Sequence, residues 1–426
     1  MNDWSVLLTG FAAAFTTPSF EIFLRVSAAW VLCPGGRRIT RLVPLAEPLG
    51  EKAHDAYHRF FRDGAWRMSE LWRLIARIMV TLFQPSGRIP LQIDDTLFHK
   101  TGRKVEGAGW WRDAVRSSAT KVVHGFGLNI VLMTLAVNPP WGGEPLALPV
   151  NTRLHRKNDR SLLDLAHDML RELAAWFPDR EFDICADGFY APMASMLPAD
   201  MYLTSRIRRD AALYDLPPQR LRATAGRPRK KGKRLPTPEQ MAQTKKGWKR
   251  LAVNMRGKLK QRLVLSRPVL WYAVCPTHPV LLVISRAPDG IEEDDFLFTT
   301  DLHADPAQVI ARYAARWAIE DTFKNVKQSL GGQEPQLWKR AGPERAAAFA
   351  FWLYAIIWLA YLKTNSRSPT FCVLPWYPKK KRPSFVDALS NLRGVLWRQR
   401  LFMKSEKKPL PSKIIRHLIM VLAFAA

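Results

Sequence analysis

Residues 89–96 read Ile-Pro-Leu-Gln-Ile-Asp-Asp-Thr, a short apolar run that ends in an acidic pair. This composition predicts a strand over 89–94. A second run, at 182–186, has the same character and is followed by Asp187 and Gly188. Folding alone requires no charge at either strand end. An acid at the end of a strand is commonly a turn or helix-cap residue, and the alternative is a functional carboxylate.

Strands and helices alternate around these two runs. The apolar stretches at 122–137 and 146–150 predict further strands, the first of them one long strand or two. An amphipathic pattern over 161–177 predicts a helix that leads into the 182–186 strand. Strands followed by a helix and another strand indicate an α/β or α+β fold with a central mixed sheet.

Helical patterns dominate the N-terminal part of the chain. Thr17, Pro18 and Ser19 are typical of a helix start. A long helix is predicted over 56–83, where apolar residues recur at helical spacing, and the Gln-Pro-Ser-Gly turn at 84–87 ends it.

More than half of the net positive charge lies in one segment. The chain has 426 residues, and 65 Lys and Arg against 37 Asp and Glu give it a net charge of +28. Residues 206–262 carry 19 Lys and Arg against 3 acids, a net charge of +16. Such a balance indicates a polyanionic partner. The Gly- and Pro-containing centre at 226–234 predicts an extended loop, and further strands are predicted at 269–275, 280–285 and 296–299.

A long helix predicted over 306–330 carries a polar stripe. Its members are 3, 4 and 7 residues apart and therefore share one helical face: Tyr313, Arg316, Glu320 and Lys327. An acid flanked by cations and a phenol suits a metal and a nucleic-acid backbone. The alternative is a solvated face with i,i+4 pairing of Arg and Glu.

Metal-dependent phosphoryl transfer needs carboxylates from separate strands or helices that converge on one point. Two Mg²⁺ ions about 4 Å apart activate the attacking oxygen and stabilise the leaving one, and Mg²⁺ prefers carboxylate oxygens. Asp94, Asp187 and Glu320 are the candidate ligands in this sequence.

Three motifs in order carry a family resemblance. The spacing Tyr-(2)-Arg-(3)-Glu-(6)-Lys, in YAARWAIEDTFKNVK at 313–327, resembles the YREK signature of bacterial insertion-sequence DDE transposases. IDDT at 93–96 is similar to the first acidic motif of that family, and ADGFY at 186–190 to the second. The resemblance covers about residues 89–362. It implies an α/β, RNase H-like mixed sheet flanked by helices, interrupted by a β-rich basic insertion before the last acid.

The resemblance also implies roles for single residues. Two catalytic Mg²⁺ ions, with Mn²⁺ as a substitute, would be held by Asp94, Asp187 and Glu320. Contacts with transposon-end DNA would come from Tyr313, Arg316 and Lys327. Strand alternation lets only one residue of the Asp94–Asp95 pair face the metals; the family pattern favours Asp94, and Asp95 is the alternative.

The basic loop is a further candidate DNA contact. Its cations are Arg227, Arg229, Lys230 and Lys231. We expect them to contact phosphates without sequence preference. An extended Arg-Pro segment that enters a narrow minor groove is the alternative.

The motifs predict a division of the chain. Residues 1–88 form an N-terminal helical domain for DNA binding and assembly, and 89–203 the first part of the catalytic core. Residues 204–295 form the basic insertion, 296–365 the second part of the core with the Glu helix, and 366–426 a basic C-terminal region.

The predicted function is cut-and-paste DNA transposition. Its partners are double-stranded DNA, as transposon ends and as target, and a second copy in a homodimer on paired ends; no small-molecule cofactor is expected. The alternatives are a non-catalytic, domesticated DNA-binding protein and an RNase H-like nuclease without strand transfer.

The remaining features indicate a cytoplasmic, nucleoid-associated protein. Four scattered Cys residues form no C-x-x-C pair, which fits a reducing compartment. The run 346–362 is uncharged over seventeen residues, at the lower limit for a membrane span. We expect it to be a helix buried on all sides, and no membrane association.

Overall fold

We describe the fold from a computed structural model, whose described residues are 3–47, 50–118, 120–217, 229–365, 368–404, 418–419 and 421–423. The strands are β1 (Ile89–His99), β2 (Gly109–Arg112), β3 (His124–Val137), β4 (Leu146–His155), β5 (Phe182–Ala186), β6 (Met201–Arg206), β7 (Lys249–Met255), β8 (Lys258–Val269), β9 (Val280–Arg286) and β10 (Asp295–Thr299). The α-helices are α1 (Asp3–Thr9), α2 (Thr17–Leu32), α3 (Ile39–Ala46), α4 (His54–Arg62), α5 (Met68–Phe83), α6 (Leu162–Trp176), α7 (Pro238–Ala242), α8 (Pro306–Ala315), α9 (Ala318–Gln328), α10 (Gly342–Asn365) and α11 (Phe385–Lys404). Short 3₁₀ helices lie at Ala12–Ala14 and Gly188–Ser195.

All ten strands belong to one mixed sheet. The order is β2-β3-β1-β5-β6-β10-β9-β8-β7, and β4 also pairs with β3. The pairs β1–β5 and β5–β6 are parallel, whereas β1–β3, β3–β4 and the strands from β6 through β10 to β7 pair antiparallel. The predicted α/β fold, an RNase H-like mixed sheet flanked by helices, is confirmed.

The strands after the basic segment enlarge this sheet. β7, β8, β9 and β10 continue it beyond β6, and α8 packs across them and against β7. A second hydrophobic core is buried between this helix and the sheet, and it includes Val253, Val264, Val283, Val309 and Ile310. The predicted β-rich segment therefore shares its sheet with the two acid-bearing strands.

The main core surrounds α10. This helix is long and apolar enough to span a membrane by composition alone, but nearly all of it is buried inside the protein. It packs against α4, α5, α9, α11 and β4. The prediction of a helix buried on all sides is confirmed for this segment.

Several predicted elements have different bounds in the structure. β1 continues past Asp94 to His99, so the predicted strand end at Asp94 is wrong, and β4 continues past Val150 to His155. Two other predicted elements are interrupted. The predicted helix over 56–83 is two helices, α4 and α5. In the gap the buried Trp66 donates its indole N–H to the Phe60 carbonyl at 2.7 Å. The predicted strand over 269–275 ends at Val269, because the Trp271 carbonyl accepts from the N–H of Val274 and Cys275 in a turn. Residue propensities favour a helix over 56–83 and a strand over 269–275. Hydrogen bonds to the backbone carbonyls of Phe60 and Trp271 interrupt these two elements.

A close backbone approach joins the β7–β8 turn to the β3–β4 loop. Gly257 has a φ of +77°, and a Cβ on it would overlap the backbone of Gly143. Beside it, Arg256 pairs with Glu144. These two contacts hold the tip of the β7–β8 hairpin against the β3–β4 loop.

This contact predicts an unequal response of two glycines. Gly257→Ala should lower the free energy of unfolding by about 3 kcal/mol, through backbone strain and overlap with Gly143. Gly290→Ala is the matched control, because Gly290 has a φ of +70° with nothing within 4 Å of its Cβ position; it should cost only about 1 kcal/mol. Urea denaturation measures both, and equal losses would contradict the contact.

Candidate active site

Asp94 and Asp187 lie on neighbouring parallel strands. The last register pair of β1 and β5 is Ile93 and Ala186, and the two acids come next along each chain. The Asp187 carboxylate also caps the following 3₁₀ helix, since it accepts from the N–H of Phe189 at 3.0 Å. The helix-cap interpretation is therefore correct for Asp187, and it leaves the second carboxylate oxygen for other partners.

The acidic pair of β1 is divided between two faces of the sheet. Asp94 Oδ2 accepts from Arg316 Nη1 at 2.5 Å. Asp95 Oδ1 accepts from the Tyr190 hydroxyl at 3.3 Å, on the side of the 3₁₀ helix. Asp94 thus faces the segment that leads into α9, the helix of Glu320.

The predicted continuous helix over 306–330 is interrupted beside Asp94. Between α8 and α9 the backbone N–H groups bond to the carbonyl three residues back, as in a 3₁₀ turn; these residues are Arg316, Trp317, Ile319 and Glu320. The prediction of one straight helix with one polar face is therefore wrong. The tighter turn changes the direction in which α9 presents its side chains.

The carbonyls that the interruption frees are capped from the sheet. The Cys185 thiol on β5 donates to the Arg312 carbonyl at 3.6 Å. The Gln92 amide on β1 donates to the Ala315 carbonyl at 3.1 Å. The two acid-bearing strands therefore also set the orientation of the segment that carries Glu320. Sequence reasoning missed both residues, although an amide inside an apolar strand was a usable signal.

Four carboxylates share one electrostatic environment. Burial raises the pKa of Asp94 to about 7; Arg316 opposes the rise, and Asp187, Asp95 and Glu320 add to it. Burial likewise raises the pKa of Asp95 to about 6, with Asp187 and Glu320 adding to the rise. The two acids of β1 thus feel the charges of Asp187 and Glu320. Such mutual repulsion is relieved when a cation binds.

Arg316 supplies a positive charge within this group. It is only 8% exposed, and its guanidinium carbon lies 5.5 Å from the centre of the Tyr313 ring. Burial alone would lower its pKa, but Asp94 and Tyr313 raise it above the usual value. Its Nε is buried and has no hydrogen-bond partner among the described residues. One donor of this guanidinium is therefore unused.

The other two members of the polar stripe lie in different surroundings. Tyr313 is 6% exposed and packs in the second hydrophobic core, where burial raises its pKa. Lys327 is half-buried; burial lowers its pKa, while Asp113 and Glu320 oppose that shift. Lys327 is thus close enough to Glu320 to feel its charge. Tyr313 packs beside Arg316 in the hydrophobic core and does not reach the surface.

The donor set suits a hard divalent cation. Asp94, Asp187 and Glu320 offer only carboxylate oxygens, which are the ligands that Mg²⁺ prefers. Within the described part of the chain, no group of three or more His, Cys, Asp or Glu side chains is positioned to hold one ion. Asp94 is instead engaged by Arg316. The residues fit the ion in chemistry, and the ion pair with Arg316 occupies one carboxylate oxygen of Asp94.

The predicted basic loop is described only in part. Arg227 lies outside the described residues. Arg229, Lys230 and Lys231 are exposed, and Lys231 Nζ lies 4.1 Å from the centre of the Tyr214 ring. The prediction that these cations contact DNA stays a prediction.

Comparison with known proteins identifies the family. The model of the family described as DDE superfamily endonuclease matches residues 12–272, which include both Asp94 and Asp187. No curated protein matches the chain. The family match covers more than half of the sequence, and the acid-bearing strands within it carry the geometry above. The chain belongs to the DDE superfamily endonuclease family.

Proposed function

We propose that the protein is an insertion-sequence DDE transposase with the YREK signature, which cleaves DNA at transposon ends and joins them to target DNA. One observation carries the proposal. Burial raises the pKa of Asp94 and of Asp95 on β1, and the charges of Asp187, after β5, and of Glu320, on α9, add to both rises. A fold gains no stability from gathering like charges in this way, so a function is the better explanation.

The proposed chemistry uses one site for two reactions. Asp94, Asp187 and Glu320 would hold two Mg²⁺ ions, or Mn²⁺, which when bound activate the attacking oxygen and stabilise the leaving oxygen. Hydrolysis breaks one P–O bond at the element end and frees a 3′-hydroxyl. That hydroxyl then attacks a target phosphodiester, so that one P–O bond forms while another breaks. No covalent protein–DNA intermediate is required.

Arg316 links DNA binding to this site. While it pairs with Asp94, that carboxylate is neutralised by a protein cation. A DNA phosphate offers the guanidinium a bidentate partner, and the unused Nε is one of the donors that such a pair needs. When Arg316 turns to a phosphate, Asp94 becomes available as a ligand.

The proposed partners follow the charge. The exposed Arg229, Lys230 and Lys231, together with Arg227 and Lys327, would bind the DNA backbone. The same proposal includes a division of the chain into domains after residues 88, 203, 295 and 365. It also includes a homodimer on paired ends and a cytoplasmic, nucleoid-associated location.

A nuclease without strand transfer is the second candidate. The description of the matched family as an endonuclease favours it. Both candidates use the same three acids and differ in their products. Incubation of purified protein with element-end and plasmid DNA in Mg²⁺ separates them: joined products support transposition, and cleaved products alone support the nuclease.

The acids should be essential for cleavage. Asp94→Asn, Asp187→Asn and Glu320→Gln should each lower Mg²⁺-dependent cleavage of linear DNA about 1,000-fold, equivalent to several kcal/mol of lost transition-state stabilisation. Quantitative gel assays of nicked and joined products measure the effect.

A neighbouring acid provides the control. Asp321 follows Glu320 on α9 but is exposed and bonds to Asn325, so Asp321→Asn should retain activity. Asp95→Asn tests which acid of the Asp94–Asp95 pair binds metal. We expect it to lower activity less than Asp94→Asn. Full activity in either Asp187→Asn or Glu320→Gln would refute the proposed site.

The ion pair between Arg316 and Asp94 predicts an effect of Arg316 on metal binding. Without DNA, Arg316→Gln should tighten Mn²⁺ binding about tenfold, because a cation close to the ligand oxygens is removed. Titration of free Mn²⁺ by electron paramagnetic resonance measures this directly. The titration is done at pH 8.5, because loss of the Arg316 charge raises the pKa of Asp94.

Arg312→Gln is the matched control, since Arg312 pairs with Asp183 rather than with Asp94. It should leave Mn²⁺ affinity unchanged. Weaker binding in Arg316→Gln would show that Arg316 supports the metal site and does not close it. The same variant should cleave DNA more slowly than the wild type, because the phosphate contact is lost.

A further inference from the structure

A concave pocket lies where two loops meet at the far end of β1. One loop follows β1 and the other joins α9 to α10. The cavity has a volume of about 310 Å³, and its lining includes Arg38, His99, Lys100, Gln333, Gln336 and Trp338. We call it the two-loop pocket. Its size is that of a site for a small organic ligand.

The two loops are fixed to each other. Glu106 N–H donates to the Trp338 carbonyl at 2.9 Å. Lys100 Nζ donates to the carbonyls of Gln333 and Pro335 at 2.7 and 3.1 Å. Val105 is buried beneath the first loop. The pocket is therefore a built feature of the fold.

The chemistry of the lining suits a nucleotide. The indole of Trp338 is 51% exposed, although large aromatic rings are usually buried. Gln333 Oε1 is buried and has no hydrogen-bond partner among the described residues. An aromatic face beside an unsatisfied amide is the combination that stacks on a base and bonds to its edge.

The charge around the pocket favours an anion. Arg38, Arg103 and Lys104 are exposed near its mouth. The two acids of the loops are occupied by backbone donors: Glu334 accepts from Arg37 N–H at 2.5 Å, and Glu106 accepts from Arg340 N–H at 2.5 Å. The carboxylates keep their charge but are held by these hydrogen bonds, whereas the three cations are exposed and available to a phosphate group.

Charged side chains lie between the pocket and the carboxylates. Lys327 on α9 feels the charges of both Glu320 and Asp113. Asp113 Oδ2 lies 3.2 Å from His99 Nε2, and His99 lines the pocket. His99 follows Asp94 by five strand residues, roughly 17 Å. At about 3.4 Å per nucleotide this is roughly five nucleotides from the carboxylates.

We propose that the two-loop pocket binds one unpaired nucleotide of the DNA, about five nucleotides from the cleavage site, with its base against Trp338. The proposal rests on the proposed function in that DNA is the ligand. Paired bases hide their faces within the stack, so only an unpaired base can use an indole inside a cavity. The pocket would thereby favour distorted DNA over a regular duplex.

Binding in EDTA tests the pocket apart from the chemistry. The probes are two fluorescein-labelled 30-base-pair duplexes, one fully matched and one with a single bulged adenine. The wild type should bind the bulged duplex about tenfold more tightly, as measured by fluorescence anisotropy. Trp338→Leu should lose this preference and keep its affinity for the matched duplex. Trp338→Phe, which retains an aromatic face, should keep most of the preference.

A second variant covers the case in which Trp338→Leu fails to fold. Gln336 is exposed at the pocket, and Gln336→Glu places a negative charge there at nearly constant size, so the preference should fall. Equal affinity of the wild type for both duplexes, or an unchanged preference in Trp338→Leu and Gln336→Glu, would overturn the pocket. Cleavage of matched DNA in Mg²⁺ is measured separately. If the protein cleaves DNA but shows no preference for the bulged duplex, only the pocket proposal is refuted. If it shows the preference but does not cleave DNA, only the proposed function is refuted.

Discussion

The need to hold like charges together governs this structure. Asp94 and Asp95 lie where burial and the charges of Asp187 and Glu320 both oppose ionisation. Arg316 offsets part of that cost by a direct ion pair with Asp94. The arginine is itself buried, and Tyr313 supports it from the hydrophobic core. The DNA-free protein thus carries its own counter-ion at the place where the proposed function requires a metal.

The interrupted helix is the structural consequence of that arrangement. A straight helix over 306–330 would satisfy its own carbonyls and would need nothing from the sheet. The 3₁₀ turn leaves two carbonyls to be capped by Gln92 and Cys185, and these caps exist only because β1 and β5 pass directly beneath. Thr322 Oγ1 adds a bond to the Ala147 carbonyl at 2.7 Å, which fixes α9 to β4. The position of Glu320 is therefore set by three strands.

The sequence predicted the strands and the acids better than the helix that completes the site. Asp94 and Asp187 follow apolar runs whose local pattern suffices to predict a strand, although β1 continues past Asp94 to His99 and only Asp187 follows a strand end. The segment YAARWAIE at 313–320 contains neither Gly nor Pro, so no local signal marks the interruption. Its cause is long-range, because the capping residues lie more than 100 positions earlier in the chain. The turn at 269–275 was missed for a related reason, since its apolar residues fit a strand until hydrogen bonds with Trp271 close the turn.

The basic charge is connected to the same helix. The β7–β8 hairpin carries exposed Lys249, Arg250, Lys258 and Lys260, and β7 packs on α8 while its tip is held at Gly143. α8 leads directly into the 3₁₀ turn and hence to Glu320. The exposed cations of the hairpin and the helix that carries Glu320 therefore belong to one packed unit of sheet and helices. Positive charge on a separate tail would attract a polyanion equally well, but it would make no packing contact with the helices that position Glu320; the enlarged sheet places the hairpin cations on strands that pack against α8.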